Sequence, residues 1–308
     1  MDTGGATSKA AVSTLGGGAN AVNIVTLEDL GGGLRGGFDS QIRFNAATGD
    51  RNSAGSGQAL FHGANVYVGG GFGTVRVGKI IEASNCGFDV WGCTGGAGMI
   101  AGHGTASGHD RNGVSGLIGA QTQAQSVSYA TPTISGFSAS IQTTVGTRAN
   151  ERQVLNLSYA NGPLSVQFLQ SKSSLNVSGT DSGAANILDG NGKGTSIGAS
   201  YDFGMAKLNI FNAKTDKITA YTGTPSGSFA AGNVDRDITG VTASMPMGAY
   251  TLLAGYAKDK KQAAATDTKI AVGANYALSK RTTLGADMFK SDAVGAGTGF
   301  VLRARHTF

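Results

Sequence analysis

Apolar and polar residues alternate strictly in many short segments of this chain of 308 residues. In residues 155–159 (LNLSY), Leu155, Leu157 and Tyr159 fall on one face of an extended strand, because residues two apart share a face. Asn156 and Ser158 fall on the other face. The alternation recurs in residues 164–168 (LSVQF), 197–203 (IGASYDF), 241–245 (VTASM) and 270–276 (IAVGANY). This period of two predicts a chain built from amphipathic β-strands.

The composition favours strands that turn their apolar face toward lipid over those of a soluble β-sandwich. Charged residues make up only 14% of the sequence, against about 25% in soluble domains, and hydrophobic residues make up 40%. Uncharged polar residues and 51 glycines take the place of the missing charges. Neither uncharged stretch, residues 113–146 or 238–257, holds the roughly 20 predominantly apolar residues that a spanning helix needs. A closed β-barrel is the other structure that satisfies every backbone polar group in a bilayer.

Tight turns and long polar connections alternate along the chain. The predicted turns are residues 29–33 (DLGGG), 69–73 (GGGFG), 131–136 (TPTISG), 160–163 (ANGP), 202–204 (DFG), 246–248 (PMG) and 278–280 (LSK). The longer polar stretches lie near residues 46–57, 83–122, 173–194, 216–236 and 260–267. Short turns at one end and long loops at the other are typical of an outer-membrane barrel, whereas a sandwich has no reason to segregate them.

These signals divide the sequence into fifteen predicted strands. They are residues 21–28, 34–45, 58–68, 74–82, 124–130, 137–146, 152–160, 163–172, 195–202, 205–215, 237–245, 249–259, 268–277, 281–291 and 298–308. Bacterial single-chain barrels have an even number of strands, so one strand is expected to be missing or irregular.

Five segments resemble the general porins of Gram-negative bacteria, and in particular the trimeric type of beta-proteobacteria. They are residues 28–38 (EDLGGGLRGGF), 69–79 (GGGFGTVRVGK), 125–141 (QSVSYATPTISGFSASI), 275–288 (NYALSKRTTLGADM) and 297–308 (GTGFVLRARHTF). Each is weak alone, but together they cover nearly the whole chain in the family's order. The resemblance implies an all-β transmembrane barrel of about 16 strands formed by residues 1–308, a homotrimer, and a long third loop, residues 80–122, folded into the lumen.

Both ends of the chain bear on this resemblance. Phe308 follows an alternating strand and is similar to the terminal aromatic signal by which the barrel-assembly machinery recognises such proteins. The family's first strand has no clear counterpart, and residues 1–13 (MDTGGATSKAAVS) do not form a secretory signal. We interpret Met1 as an internal start, with an irregular closing strand at residues 6–15 (ATSKAAVSTL) as the alternative.

A porin filter opposes basic side chains on the wall to acidic ones on the inserted loop, and this pattern matches the chain only in part. Lys79 occupies the position of a filter arginine, but the family's other basic positions fall on Ala21, Val25 and Ala130. Alternation supplies replacement cations for the constriction, with two further lumen cations near the C-terminus. These candidates are Arg35, Arg43 and Arg76, then Arg303 and Arg305. Lys79 and Arg76 have opposite parity, so both face the lumen only if the strand bulges or ends near Gly78. For each cation the alternative is a place in a wide vestibule.

The inserted loop carries the predicted acidic and cysteine residues. Glu82, Asp89 and Asp110 are the acidic candidates, with Asp89 preferred. Cys86 and Cys93 flank residues 87–92 (GFDVWG), and outside the cytoplasm such a pair is normally oxidised, so we predict a disulfide that stiffens the loop. A zinc site that adds His103 and His109 is the less favoured alternative.

These observations predict a passive pore for small hydrophilic solutes, with mild anion preference, in the bacterial outer membrane. We expect no cofactor, metal or nucleic-acid partner, because the glycine runs lack a GxxxxGK[ST] pattern and the basic residues are scattered singly. No GxSxG element is present, although a barrel hydrolase needs no linear motif. The alternative function is a structural or surface-array barrel with little conductance, which the depleted basic filter favours.

Overall fold

The computed structural model describes residues 20–44, 60–81, 83, 86–91, 122–145, 152–173, 192–216, 237–260, 267–292 and 298–307. These residues form sixteen antiparallel strands in one sheet and a single turn of 3-10 helix, Cys86–Phe88. In the described part of the chain, no helix has the length and apolar character needed to span a bilayer.

The strands follow the predicted alternation closely. They are β1 (Asn20–Val25), β2 (Glu28–Gly31), β3 (Leu34–Phe44), β4 (Gly63–Gly70), β5 (Gly73–Ile81), β6 (Thr122–Ala130), β7 (Phe137–Thr144), β8 (Arg152–Asn161), β9 (Leu164–Ser173), β10 (Gly192–Asp202), β11 (Lys207–Asp216), β12 (Asp237–Met247), β13 (Tyr250–Asp259), β14 (Asp267–Ala277), β15 (Thr282–Ser291) and β16 (Thr298–His306).

Each strand pairs with its neighbour in sequence, apart from one irregularity at the start. The predicted strand 21–28 is two strands, β1 and β2, and both pair with β3. Thr26 lies in the break between them, where its N–H donates to the Phe38 carbonyl and its hydroxyl accepts from the Phe38 N–H, each at 2.8 Å. The remaining strands pair in sequence order from β3 to β16. This is the all-β antiparallel barrel architecture that the alternation predicts.

All seven predicted turns connect strands at one end of the barrel. Gly31, Gly32 and Gly33 have φ angles of 79°, 61° and 79°. Side chains with a Cβ rarely adopt this left-handed region, which explains the glycine run between β2 and β3. β3, β5, β9 and β11 end at the other end, and the segments that separate them from the next strand are longer in sequence.

The two faces of the sheet differ in polarity as the alternation requires. On β8, Leu157 is exposed at 44%, whereas Arg152 and Val154 on the opposite face are buried. Leu157 pairs with Phe168 of β9, and Asn156 pairs with Leu169, so the predicted inward and outward sets stay on opposite faces. The outward face of the other strands is rich in exposed Val, Ile, Leu and Met, the pattern of a lipid-facing surface.

Aromatic side chains pair near the short turns, where a barrel meets the membrane interface. Three ring pairs lie there with centroid separations of 4.4, 4.7 and 4.8 Å, namely Phe137 with Tyr159, Tyr201 with Phe203, and Tyr250 with Tyr276. Aromatic rings are favoured at both edges of the apolar band of a membrane barrel because they are apolar with a polar handle.

Substitutions at two neighbouring residues of β8 test which face of this strand contacts lipid. Leu157→Arg places a cation on the lipid face. Near the bilayer midplane it is expected to lower the free energy of unfolding in vesicles by about 2–4 kcal/mol. Asn156→Arg places the same side chain on the polar inner face, where a smaller loss is expected. Urea titration in lipid vesicles measures both. Equal losses at the two positions would contradict the assigned faces.

Candidate functional site

The inner face of β3, β4 and β5 carries a connected set of polar side chains. The Arg76 Nη1 donates to Asp39 Oδ2 at 3.2 Å and to Asn65 Oδ1 at 2.9 Å. The Arg76 guanidinium also lies 4.8 Å from the centre of the Tyr67 ring. Arg76 is thus on the inner face, as alternation predicts, but its charge is matched there by Asp39.

Arg43 extends this polar wall toward the long-loop end. Its Nε donates to Gln41 Oε1 at 2.6 Å, and Gln41 Nε2 donates to Asn23 Oδ1 at 2.9 Å. The register pairs Ala21 with Arg43 and Val25 with Asp39, so two positions where the family carries basic residues are on this same face. The wall therefore contains fewer cations than the resemblance implies.

Lys79 follows a bend in β5. Gly78 has φ 137°, and the pairing of β5 with β6 shifts register between Gly78 and Ile80, so the strand is irregular where the sequence required a bulge. Lys79 pairs with Ala64, and its Nζ donates to the Phe61 carbonyl at 3.1 Å. Its pairing with Ala64 gives it the opposite parity from Arg76, and its ammonium lies at the long-loop end of β4.

His62 adds no positive charge at this end of the wall at neutral pH. It lies just before β4, where burial, followed by the nearby charges of Arg43 and Lys79, lowers its pKa from 6.5 to about 3. The imidazole is therefore neutral near pH 7, and Arg43 and Lys79 supply the positive charge there.

Residues 86–91 of the third loop lie against the opposite wall. The Trp91 indole N–H donates to Asp287 Oδ1 at 2.9 Å. The same carboxylate accepts from Arg303 Nε at its other oxygen and from Arg303 Nη2 at 2.8 Å. Arg303 also donates to Asn275 Oδ1 at 3.1 Å. Arg303 thus lies on the same face of the sheet as Asp287 and braces the carboxylate that holds the loop. Its role in the lumen stays a prediction.

A second contact holds the loop on β12, three strands from β15. The Thr242 hydroxyl donates to the Phe88 carbonyl at 3.1 Å, and Asn209 Nδ2 donates to Thr242 Oγ1 at 3.0 Å. Thr242 and Asn209 are each at most 2% exposed. The loop is thus bound to the inner face by hydrogen bonds on both β12 and β15.

Apolar side chains fill the space between the loop and this wall. Wall residues of β8, β9 and β11–β15 pack with the loop into one buried cluster. Its members are Phe88, Trp91, Val154, Leu169, Phe211, Ala213, Ile238, Leu253, Ala257, Ala271 and Phe289. Val90 and Val301 pack against its edge. Because hydrophobic contact of this kind resembles a domain core, we treat residues 86–91 as a fixed part of the inner wall.

The acidic candidates are distributed differently from the basic ones. Asp89 is 5% exposed, and its Oδ1 accepts from the Trp91 N–H at 3.0 Å, which closes a local turn. Asp39 and Asp287, which the sequence analysis did not single out, are the carboxylates that contact the wall arginines. Glu82 and Asp110 lie outside the described residues, so their place in the constriction stays a prediction.

The remaining predicted residues lie at the ends of the structure or beyond it. Arg35 is exposed and pairs with Gly69 near the short turns, and Arg305 is exposed and pairs with Thr283 of β15. Cys86 begins the 3-10 turn, whereas Cys93, His103, His109 and Phe308 lie outside the described residues. The disulfide, the zinc alternative and the assembly signal therefore stay predictions.

A recess of about 160 Å³ opens beside Arg76, between the base of the loop and the strands β5–β8. Its lining includes Ser128, Ser140 and Gln142 on the polar side and Ile80 and Val154 on the apolar side. Ala130 also lines it, at a position where the family carries a basic residue. The recess thus lies on the polar wall next to the base of the loop, and Val154 is shared between its lining and the apolar cluster.

Comparisons with known proteins agree with this geometry. The family model described as Gram-negative porin matches residues 1–293. Outer membrane porin protein 32 of Delftia acidovorans is 28% identical over 302 residues, which is 90% of this chain and 75% of that protein.

Solved structures show the same fold. An anion-selective porin from Comamonas acidovorans has a TM-score of 0.70 and 24% identity, covering 95% of this chain and 90% of the other. The trimer form of OmpT, an outer membrane protein of Vibrio cholerae, has a TM-score of 0.59 and 16% identity, covering 95% and 88%. With an apolar outer face, a polar inner face and a loop against the inner wall, the chain belongs to the family of Gram-negative porins, which reside in the outer membrane.

Proposed function

We propose that this porin passes small hydrophilic solutes and ions by passive diffusion, with a mild preference for anions. The observation that carries the proposal is the polar face of β1, β3, β5 and β6, which carries Asn23, Gln41, Arg43, Arg76 and Ser128. Polar side chains in a wide barrel favour water and dissolved solutes over lipid. No enzymatic step is part of this proposal.

The anion preference is mild because the wall cations are partly neutralised. Arg76 is paired with Asp39, and Arg303 is paired with Asp287. Arg43 and Lys79 at the long-loop end provide the positive field that a passing ion meets. The relative from Comamonas acidovorans is itself described as anion-selective, which supports the sign of the preference.

We further propose a homotrimer inserted by the barrel-assembly machinery through the C-terminal strand and Phe308. The trimer form of the Vibrio cholerae protein supports the assembly state. The constriction is proposed to lie between the polar wall and the inserted loop, residues 80–122, and to include the acidic side chains of that loop.

A structural barrel of low conductance is the second candidate. The apolar cluster that fills part of the inner face favours it, because packed side chains leave less room for water.

Planar-bilayer recording separates the two functions. We expect stepwise, ohmic conductance and a zero-current potential of anion-selective sign in a KCl gradient. The anion selectivity should decrease as the salt concentration rises, because salt screens the wall charges over about 8 Å at physiological ionic strength. A folded trimer that inserts into the bilayer without conducting would instead identify a structural barrel.

A further inference from the structure

Gly198 of β10 lies directly under the ring of Phe88. A Cβ placed on Gly198 meets the Phe88 ring atoms Cδ2, Cγ and Cε2 at 2.2, 2.5 and 2.7 Å. Real Cβ atoms are not found this close to other atoms, so the loop occupies this position only because residue 198 has no side chain. The absence of one methyl group therefore leaves a notch in the barrel wall that the loop fills.

The notch is open because the neighbouring wall ring leans away from it. Phe211 of β11 pairs with Gly198 on one side and with Gly240 of β12 on the other. A Cβ on Gly240 meets the Phe211 ring at 2.2 Å, so this ring covers Gly240. The Phe211 ring does not cover Gly198, and the Phe88 ring of the loop covers it instead.

The ring is held in the notch by the backbone contact beside it. The Thr242 hydroxyl donates to the Phe88 carbonyl at 3.1 Å, and Thr242 in turn accepts from Asn209. The Phe88 ring thus packs on β10, and the Phe88 carbonyl is held by Thr242 of β12, which Asn209 of β11 supports. A side chain at residue 198 would occupy the space of the ring, so we expect it to push the loop away from this wall and into the lumen.

We propose that Gly198 is a positioning residue for the constriction, and that the seating of Phe88 in its notch sets the width of the pore. This inference rests on the proposed diffusion function. It predicts that a larger side chain at residue 198 changes the conductance only when the ring of Phe88 is present.

The test is a double-mutant cycle read by single-channel conductance in planar bilayers. Gly198→Ala should push the ring away from the wall and lower the conductance, by about twofold if the eyelet is narrow. Phe88→Ala removes the ring without displacing the loop and should leave the conductance equal to or above that of the wild type. In the double variant no ring remains to be displaced, so the conductance should return to the value of Phe88→Ala.

Gly299→Ala is the matched control. Its new methyl meets a ring at 2.1 Å, but the ring is that of Phe289, a wall residue. Phe289 belongs to the same buried cluster as Phe88 but covers Gly299 and not Gly198, so the effect of Gly299→Ala should change much less than that of Gly198→Ala when the Phe88 ring is removed. Each variant is first shown to form a folded trimer by heat-modified electrophoresis. If Gly198→Ala does not fold with Phe88 present, the double variant Gly198→Ala with Phe88→Ala should fold because the clashing ring is gone. A double variant that also fails to fold would overturn the inference.

The outcomes separate the inference from the function on which it rests. A wild-type protein that inserts without conducting overturns both. If the wild type conducts but Gly198→Ala lowers the conductance equally with and without the Phe88 ring, the notch does not position the loop. Conductance unchanged in Gly198→Ala overturns the inference while the diffusion function stands.

Discussion

Replacing Asp287 by alanine is expected to release the loop from β15 and to leave the partly buried Arg303 guanidinium without its carboxylate partner. The Asp287 side chain is fully buried and accepts from both Trp91 and Arg303. Removing one member of a buried ion pair costs about 3–5 kcal/mol, chiefly because the other charge stays uncompensated. Both the stability of the barrel and the order of the loop should therefore fall in one variant.

Two measurements separate these effects. Urea titration in vesicles gives the loss of folding free energy, and bilayer recording gives the open-channel noise, which should rise because the loop loses its attachment through Trp91. Asp287→Asn keeps an acceptor for the indole and should have less noise than Asp287→Ala. Asp292→Ala, at an exposed residue directly after β15, is the control. If Asp287→Ala matches that control in both measurements, the contact does not hold the loop.

Reversing the charges of Arg76 and Lys79 is expected to reverse the ion selectivity. With glutamate at both positions, Asp39 loses its cationic partner and gains a like charge across the inner face. The positive field at the long-loop end is then reduced to Arg43. Because charges at the narrowest point act on ions within a Debye length of about 8 Å, this change should alter the sign of the zero-current potential in a salt gradient.

Single substitutions divide the effect between the two residues. Arg76→Glu should account for the larger part, since Arg76 lies beside the recess, whereas the Lys79 ammonium is bound to the Phe61 carbonyl. Arg35→Glu is the control, because Arg35 is an exposed residue of the same inner face near the short turns and should shift the potential less. If the double variant conducts with an unchanged potential, Arg76 and Lys79 do not form the filter.

The alternation of residue types was enough to predict the strands, their faces and the turns. A period of two is a local property that survives in every strand, and the Gly31–Gly33 run encodes its turn through backbone conformation alone. The same local signal misjudged two details. The predicted strand 21–28 is broken at Thr26, because the break depends on hydrogen bonds to Phe38 of the neighbouring strand. The predicted strand 58–68 begins only at Gly63.

The contacts between the third loop and the inner wall could not be predicted from this alternation. Asp287 lies 196 positions from Trp91, and Thr242 lies 154 positions from Phe88, so nothing local marks either as the partner of a loop. The sequence by itself determined that this chain is a lipid-facing barrel with arginines on its inner face, because alternation and composition act strand by strand. Which arginines are neutralised, and where the loop rests, was decided only by the tertiary structure. The register of neighbouring strands brings Asp39 to Arg76 and Asp287 to Arg303, and the packing of the loop against the wall places Phe88 on Gly198.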